Sequence, residues 1–163
     1  MVAQAALDRR IRSGPALAAL ASASVRLTPF DPIAVANWSR MWTKKEYPWD
    51  SLWRDFRPYI DRFEVAIWAN GQVCGLALGR PSRGNQNVTI HFVERDMGAN
   101  NPFGGLVIPV VADVANFYAK ALGKELVKVK DPVFGAIPAY LKVGFVPAAR
   151  IGRTEYLERK VEL

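Results

Sequence analysis

A chain of 163 residues, half of them apolar, is long enough for one well-buried core and too short for two comfortable domains. With 23% charged residues, five Trp, five Tyr and eight Phe, it excludes disorder, because such a composition buries enough apolar surface to offset chain entropy. The net charge of +7 attracts polyanions, but the cations are scattered from Arg9 and Arg10 to Arg159 and Lys160, which argues for solvated basic faces over a nucleic-acid stripe.

The lone cysteine, Cys74, excludes intramolecular disulfides and argues against a cysteine zinc site, so no metal is expected and a reducing cytoplasm fits. No run reaches the length of a membrane-spanning helix, so no membrane partner is expected. The run 16–23 resembles a short signal-peptide core, but it is mostly alanine, and Asp8 interrupts its positive flank. Residues 1–24 are read instead as an alanine-rich appendage to a domain spanning 25–163.

In chain order, residues 25–29 read as a strand and 32–41 as a helix, with Asp31 as its cap and Pro32 in its first turn. A second helix starts near Asp50, a plausible cap, carries Trp49, Trp53 and Phe56 on related faces, and ends where Pro58 interferes. From Arg62 the period changes to two. Phe63, Val65 and Ile67 alternate with Glu64, Ala66 and Trp68 up to the turn pair Asn70-Gly71, which predicts a hairpin with a partner strand over 72–79. A polar loop over 81–87 leads to a third strand over 88–93, completing an antiparallel meander. A glycine- and proline-bearing loop over 100–105 precedes an apolar helix over 106–122, closed by Gly123. A strand over 125–130, a short helix over 135–143 that must begin close to Pro138, and one or two strands from Phe145 complete the chain.

The residues Ala136, Ile137, Tyr140, Lys142, Gly144 and Phe145, following a glycine loop, a long helix and a strand, resemble the ending of the GNAT acyltransferase superfamily: an alanine-bearing helix that finishes Tyr-x-Lys-x-Gly-Phe. A second match is the loop Asn101-Pro102-Phe103-Gly104-Gly105-Leu106. Here Gly104 fits the family's pattern, Asn101 stands where Arg or Gln is usual, and Leu106 takes the second small position. The resemblance implies an α/β fold: a central mixed, mostly antiparallel twisted sheet with helices on both faces. It further implies an acyl-CoA-dependent N-acetyltransferase that uses acetyl-CoA as cosubstrate and an amine of a small molecule or macromolecule as acceptor. Weak nucleic-acid contact and a homodimer stay open as further partners.

What that chemistry needs can be stated residue by residue. A pyrophosphate needs donors with no bulky side chain in the way, and glycines at a helix N-terminus supply both. The resemblance therefore assigns cofactor binding to Asn101, Phe103, Gly104, Gly105 and Leu106. The carbonyl needs a donor as it gains charge, and the resemblance implies that a main-chain N–H of the strand before the loop, here the segment 92–97, supplies it. Tyr140 resembles the family's proton donor to sulfur; an ordinary core tyrosine is the alternative. Glu94 is the candidate base, with His91 behind it; three residues apart, they face opposite sides of a regular strand unless a bulge intervenes. The resemblance further implies an acceptor pocket between residues 32–59 and the loop 81–87. The rival function is a non-catalytic basic module of the same fold that binds an acidic protein or nucleic acid, with Trp42, Tyr47, Trp49 and Trp53 stacking on bases among lysines and arginines.

Overall fold

The computed structural model describes residue 4 and residues 24–84, 86–98 and 101–162. Its elements are β1 (Val25–Thr28), α1 (Pro32–Met41), α2 (Trp49–Phe56), β2 (Phe63–Ala69), β3 (Gln72–Pro81), β4 (Asn87–Arg95), α3 (Val107–Ala121), β5 (Leu126–Lys130), α4 (Ile137–Lys142), β6 (Val146–Pro147) and β7 (Tyr156–Lys160). Seven strands form one mixed sheet in the order β1-β2-β3-β4-β5-β7-β6, antiparallel throughout except for the parallel pair β4·β5. The crossover between those two strands is α3, as a parallel connection requires. Of the appendage predicted over 1–24, all but Gln4 and Ser24 lies outside the described residues. The Gln4 carboxamide accepts from Leu27 N–H at 2.8 Å and donates to Val25 O at 3.3 Å, on the side of β1 away from β2.

The ends of the elements follow from their residues. Asp31 caps α1 by accepting from Ala34 N–H at 2.8 Å, with Pro32 in the first turn. Asn70 and Gly71 both take positive φ, 52° and 76°, which closes the β2–β3 hairpin as an Asn-Gly pair can. Gly123, at φ 68°, ends α3: its N–H bonds Lys120 O and the next N–H bonds Ala119 O, the paired bonds of a Schellman ending.

Three expectations need correction. Asp50 is not a cap: α2 begins at Trp49 after Pro48, and Asp50 sits in the first turn, where its charge favours the helix dipole. The third strand continues two residues past Val93, to Arg95. The last helix opens with a 3-10 turn, Phe134–Ala136, so the α-helix itself starts at Ile137 and Pro138 falls in its first turn.

Strand alternation sends side chains to two separate cores. Phe63, Val65, Ile67, Val88 and Ile90 face α3, while Ala66, Trp68, Leu76 and Leu78 face α1 and α2. The helix α3 lies close because β3 presents Gly75: a Cβ there would meet both Val107 methyls at 3.0 Å.

Candidate functional site

The parallel ladder between β4 and β5 runs only from Asn87↔Leu126 to Ile90↔Val129, yet β4 continues for five more residues. Beyond Ile90 the two strands part, and the gap holds a cavity of about 700 Å³. What ends the pairing is a β-bulge. The β3·β4 register steps from Leu78↔Phe92 to Gly79↔Ile90, which leaves His91 as the extra residue. Gly79 makes the bulge feasible, since a Cβ there would stand 2.1 Å from Thr89 O.

The bulge also fixes which main-chain groups face the gap. Asp96 N–H donates to Cys74 O at 2.9 Å, toward β3. Alternation along the strand then turns the N–H groups of Val93 and Arg95 the other way, toward the vacated β5 side. These lie within the segment 92–97 expected to polarise a carbonyl.

One wall of the cavity is the entry to α3, where Gly104, Gly105, Val107 and Ile108 line the space. The first N–H groups of a helix have no partner within it, and Pro109 contributes none, so the donors here are those of Val107 and Ile108. Neither glycine is demanded by φ or by packing: a Cβ on Gly104 would have Arg95 Nη1 at 3.7 Å as its nearest neighbour, and one on Gly105 would meet nothing within 4 Å. The missing side chains leave room on the cavity side. Arg95 donates to Gly104 O at 2.6 Å and stands beside this wall as a cation.

The loop's other described residues lie outside the cavity lining. Asn101 shapes the turn: its Nδ2 donates to Asp96 O at 2.8 Å and Cys74 O at 3.2 Å, and its Oδ1 accepts from Phe103 N–H at 2.9 Å. Phe103 is fully buried in the α3 core. Leu106 caps α3 with its backbone and packs its side chain on the same core, away from the cavity lining.

The other walls come from α4, β4 and the α1–α2 connection. Tyr140 is buried against Phe145, ring centroids 5.5 Å apart, and lines the cavity. Burial pushes its phenol far up from the ordinary value, and the nearby Tyr47 adds to the rise, so the hydroxyl keeps its proton. Glu94 also lines the cavity, but its carboxylate accepts from Trp49 Nε1 at 2.7 Å, Glu46 N–H at 2.9 Å and Tyr47 N–H at 3.1 Å. Three donors fill most of its four acceptor positions. It is tied into the connection 43–48, which roofs the cavity through Lys44, Lys45, Glu46 and Tyr47.

His91 was placed on the opposite face from Glu94 unless a bulge intervened, and the bulge does intervene. His91, Phe92 and Glu94 all turn toward α2 and the connection before it: the His91 ring stands 5.5 Å from Phe56, and Phe92 stands 6.2 Å from the same ring. The signal that would have found this was Gly79, a glycine inside an apolar strand. None of the described residues of the loop 81–87 lines the cavity.

No protein-family model matches the sequence, and no curated protein matches it. Solved structures do match. The chain is similar to the ribosomal-protein-S18-alanine N-acetyltransferase from Escherichia coli at a TM-score of 0.65 and 11% identity, over 85% of this chain and 95% of that one. Ard1 from Thermoplasma volcanium gives 0.64 and 16% over 86% and 99%. The protein yncA from Salmonella typhimurium, solved with its cofactor acetyl-CoA, gives 0.55 and 15% over 85% and 95%. At these identities the likeness is one of fold, and the fold is that of the GNAT acetyltransferases.

Proposed function

We propose that the protein is an acyl-CoA-dependent N-acyltransferase that moves an acyl group, acetyl first among them, onto an amine. The observation that carries the reading is the parting of β4 and β5 over a cavity that meets a helix entry opened by two glycines on one wall and a proton-holding tyrosine on another. A nucleotide-bearing thioester fits this arrangement by charge as well as by space. Lys44, Lys45, Arg95 and Lys130 line or rim the cavity, and its acidic members are Glu46, Asp131 and Glu94, the last already engaged by three donors.

In this reading acyl-CoA supplies an activated acyl carbon on a thiol leaving group. The chain's own residues do the rest. Val107 and Ile108 N–H, with the positive end of α3, hold pyrophosphate where Gly104 and Gly105 leave room. Val93 or Arg95 N–H donates to the carbonyl oxygen where charge develops. Tyr140 holds a proton at its hydroxyl for the departing sulfur. Glu94 holds the connection 43–48 over the cavity in place of the role of base, and Asn101 and Phe103 shape the glycine loop from behind. A buried lone thiol, Cys74, suits a reducing cytoplasm.

The binding-module alternative loses two of its four stacking residues. Trp42 and Trp49 are 2% and 0% exposed, with their indole N–H groups bonded inside the protein, so neither can stack on a base.

Calorimetry with acetyl-CoA and with CoA tests the reading. Saturable binding of both is expected, and Gly104→Val should weaken it severely in a folded protein. No binding by the wild type would remove the acyltransferase function.

A further inference from the structure

We propose that His91, through Nε2, is the base that takes the proton from the acceptor amine. The proposal rests on the acyltransferase reading above and adds the residue that reading lacks, because Glu94 is committed to holding the connection 43–48.

Four observations converge on this one side chain. His91 is the only histidine of the chain, and it is the residue the bulge ejects from the ladder into the cavity lining. Its Nδ1 lies 3.0 Å from Thr89 O. A carbonyl only accepts, so Nδ1 carries the hydrogen and the lone pair is on Nε2. The ring is held by neighbours, with Phe56 edge-on at 5.5 Å and 76° and Phe92 tilted at 6.5 Å and 37°. The same carbonyl that fixes the tautomer is the one Gly79 makes room for: the bulge, the glycine and the orientation of the imidazole are one local device.

The surroundings keep the ring neutral. Burial lowers its pKa from the ordinary 6.5, and Lys130 and Arg80 lower it further, against the opposing effect of the Thr89 bond. Arg80 on β3 and Lys130 at the end of β5 are the charges that act on it, and Asp131, Lys44, Lys45, Glu46 and Glu94 line the same cavity. A base that is unprotonated at neutral pH and already oriented needs no activation before the amine arrives.

The protons balance. His91 Nε2 takes a proton from the amine nitrogen as that nitrogen's lone pair forms the bond to the acyl carbon. Tyr140 gives its hydroxyl proton to the sulfur, which keeps the electron pair of the broken C–S bond. A proton then passes through solvent from the imidazolium to the phenolate, and both residues end as they began.

Two measurements test this. In the first, nitrogen-15 NMR of the single histidine, with and without acetyl-CoA, should report the hydrogen on Nδ1 and a midpoint below 6.5; a hydrogen on Nε2 overturns the proposal without any variant. In the second, thiol release from acetyl-CoA is followed with benzylamine, and with water alone, as the acceptor. His91→Asn, whose amide can still donate to Thr89 O, should lower release about 100-fold or more, remove the acid limb of the pH profile and leave acetyl-CoA affinity unchanged. His91→Ala should regain release when imidazole is added, which a structural role would not show. Equal release by His91→Asn and wild type, at background level included, overturns the proposal. Failure of the wild type to bind acetyl-CoA takes down the acyltransferase reading and this proposal with it, whereas binding with release independent of His91 overturns this proposal alone.

Discussion

On the α3 face of the sheet the buried helix side chains are valine and alanine apart from Asn116, which bonds the Glu162 main chain, whereas the face under α1 and α2 holds all five tryptophans of the chain. Valine and alanine pack by shape alone and let α3 approach β3 closely at Gly75. Four of the tryptophans add direction. Trp42 donates to Val73 O at 2.7 Å, Trp49 to Glu94, Trp53 to Phe30 O at 2.8 Å and Trp68 to Thr28 Oγ1 at 2.8 Å. Trp38 is the exception, its indole N–H buried without a partner among the described residues. The difference separates two tasks: one face holds a helix entry rigidly over the gap, and the other ties irregular chain, above all the connection 43–48, into a fixed path beside it.

Truncating one buried side chain on each face separates the two tasks. Trp49→Ala should cost about 3 to 5 kcal/mol, because a fully buried indole leaves a cavity and Glu94 loses its shortest donor. Val111→Ala, equally buried in the α3 core, should cost on the order of 1 to 2 kcal/mol, since only two methyl groups go. Urea unfolding of the two variants decides it; equal losses would mean that the aromatic face contributes no more than its area.

Glu94→Gln sharpens the comparison by keeping the volume and changing only the acceptor. One carbonyl oxygen cannot serve three donors, and the new amide hydrogens face N–H groups, so a loss of about 2 kcal/mol is expected. Hydrogen exchange should quicken at the Glu46 and Tyr47 amides while that of α3 stays as it was. Unchanged protection at those two amides would release the connection from Glu94.

The α3 face carries a pH signature of its own. Burial, with a smaller contribution from Asp96, raises the Cys74 thiol from 9.0 to about 11. A raised folded value favours the protonated form, so the associated stability is complete below pH 9 and is lost as pH rises to about 11. Allowing for solvent screening, this is roughly 1 to 2 kcal/mol. Cys74→Ala should flatten the fall in stability between pH 9 and 10, below the range in which Tyr47, Tyr118 and Tyr140 begin to matter. A slope unchanged by the substitution would assign it elsewhere.

How much of this was legible in the sequence differs between the faces too. Periodicity, the Asn70-Gly71 turn, the Asp31 cap and Gly123 fixed the element order, because each acts within a few residues. The pattern Ala136 to Phe145 and the two glycines pointed to the cavity walls for the same reason. What stayed hidden depends on contacts between distant segments. The clamp on Glu94 comes from residues 45 to 48 positions away, and the burial of Phe103 is decided by a core that its own loop does not specify. The bulge lies between: Gly79 announces it locally, but its consequence for His91 emerges only across the β3·β4 ladder.

The smallest structural change, Tyr140→Phe, bears on whether α4 belongs to the packing face or to the chemistry. Tyr140 is 4% exposed and packs edge-on against Phe145, so the ring is part of the α3-side core whatever its hydroxyl does. Removing only the oxygen leaves that packing intact, and neither stability nor CoA affinity should move appreciably. If the hydroxyl delivers the proton to sulfur, turnover should fall, though a thiolate leaves with less help than an alkoxide. General acid catalysis contributes about 100- to 10,000-fold, and a loss at or below the lower end of that range is expected. Because that loss concerns the reacting step alone, it should appear in kcat with the KM for acetyl-CoA unchanged. Steady-state thiol release by the Phe variant separates the two cases: wild-type turnover returns Tyr140 to the core, and a fall in kcat at constant affinity assigns its hydroxyl to the reaction.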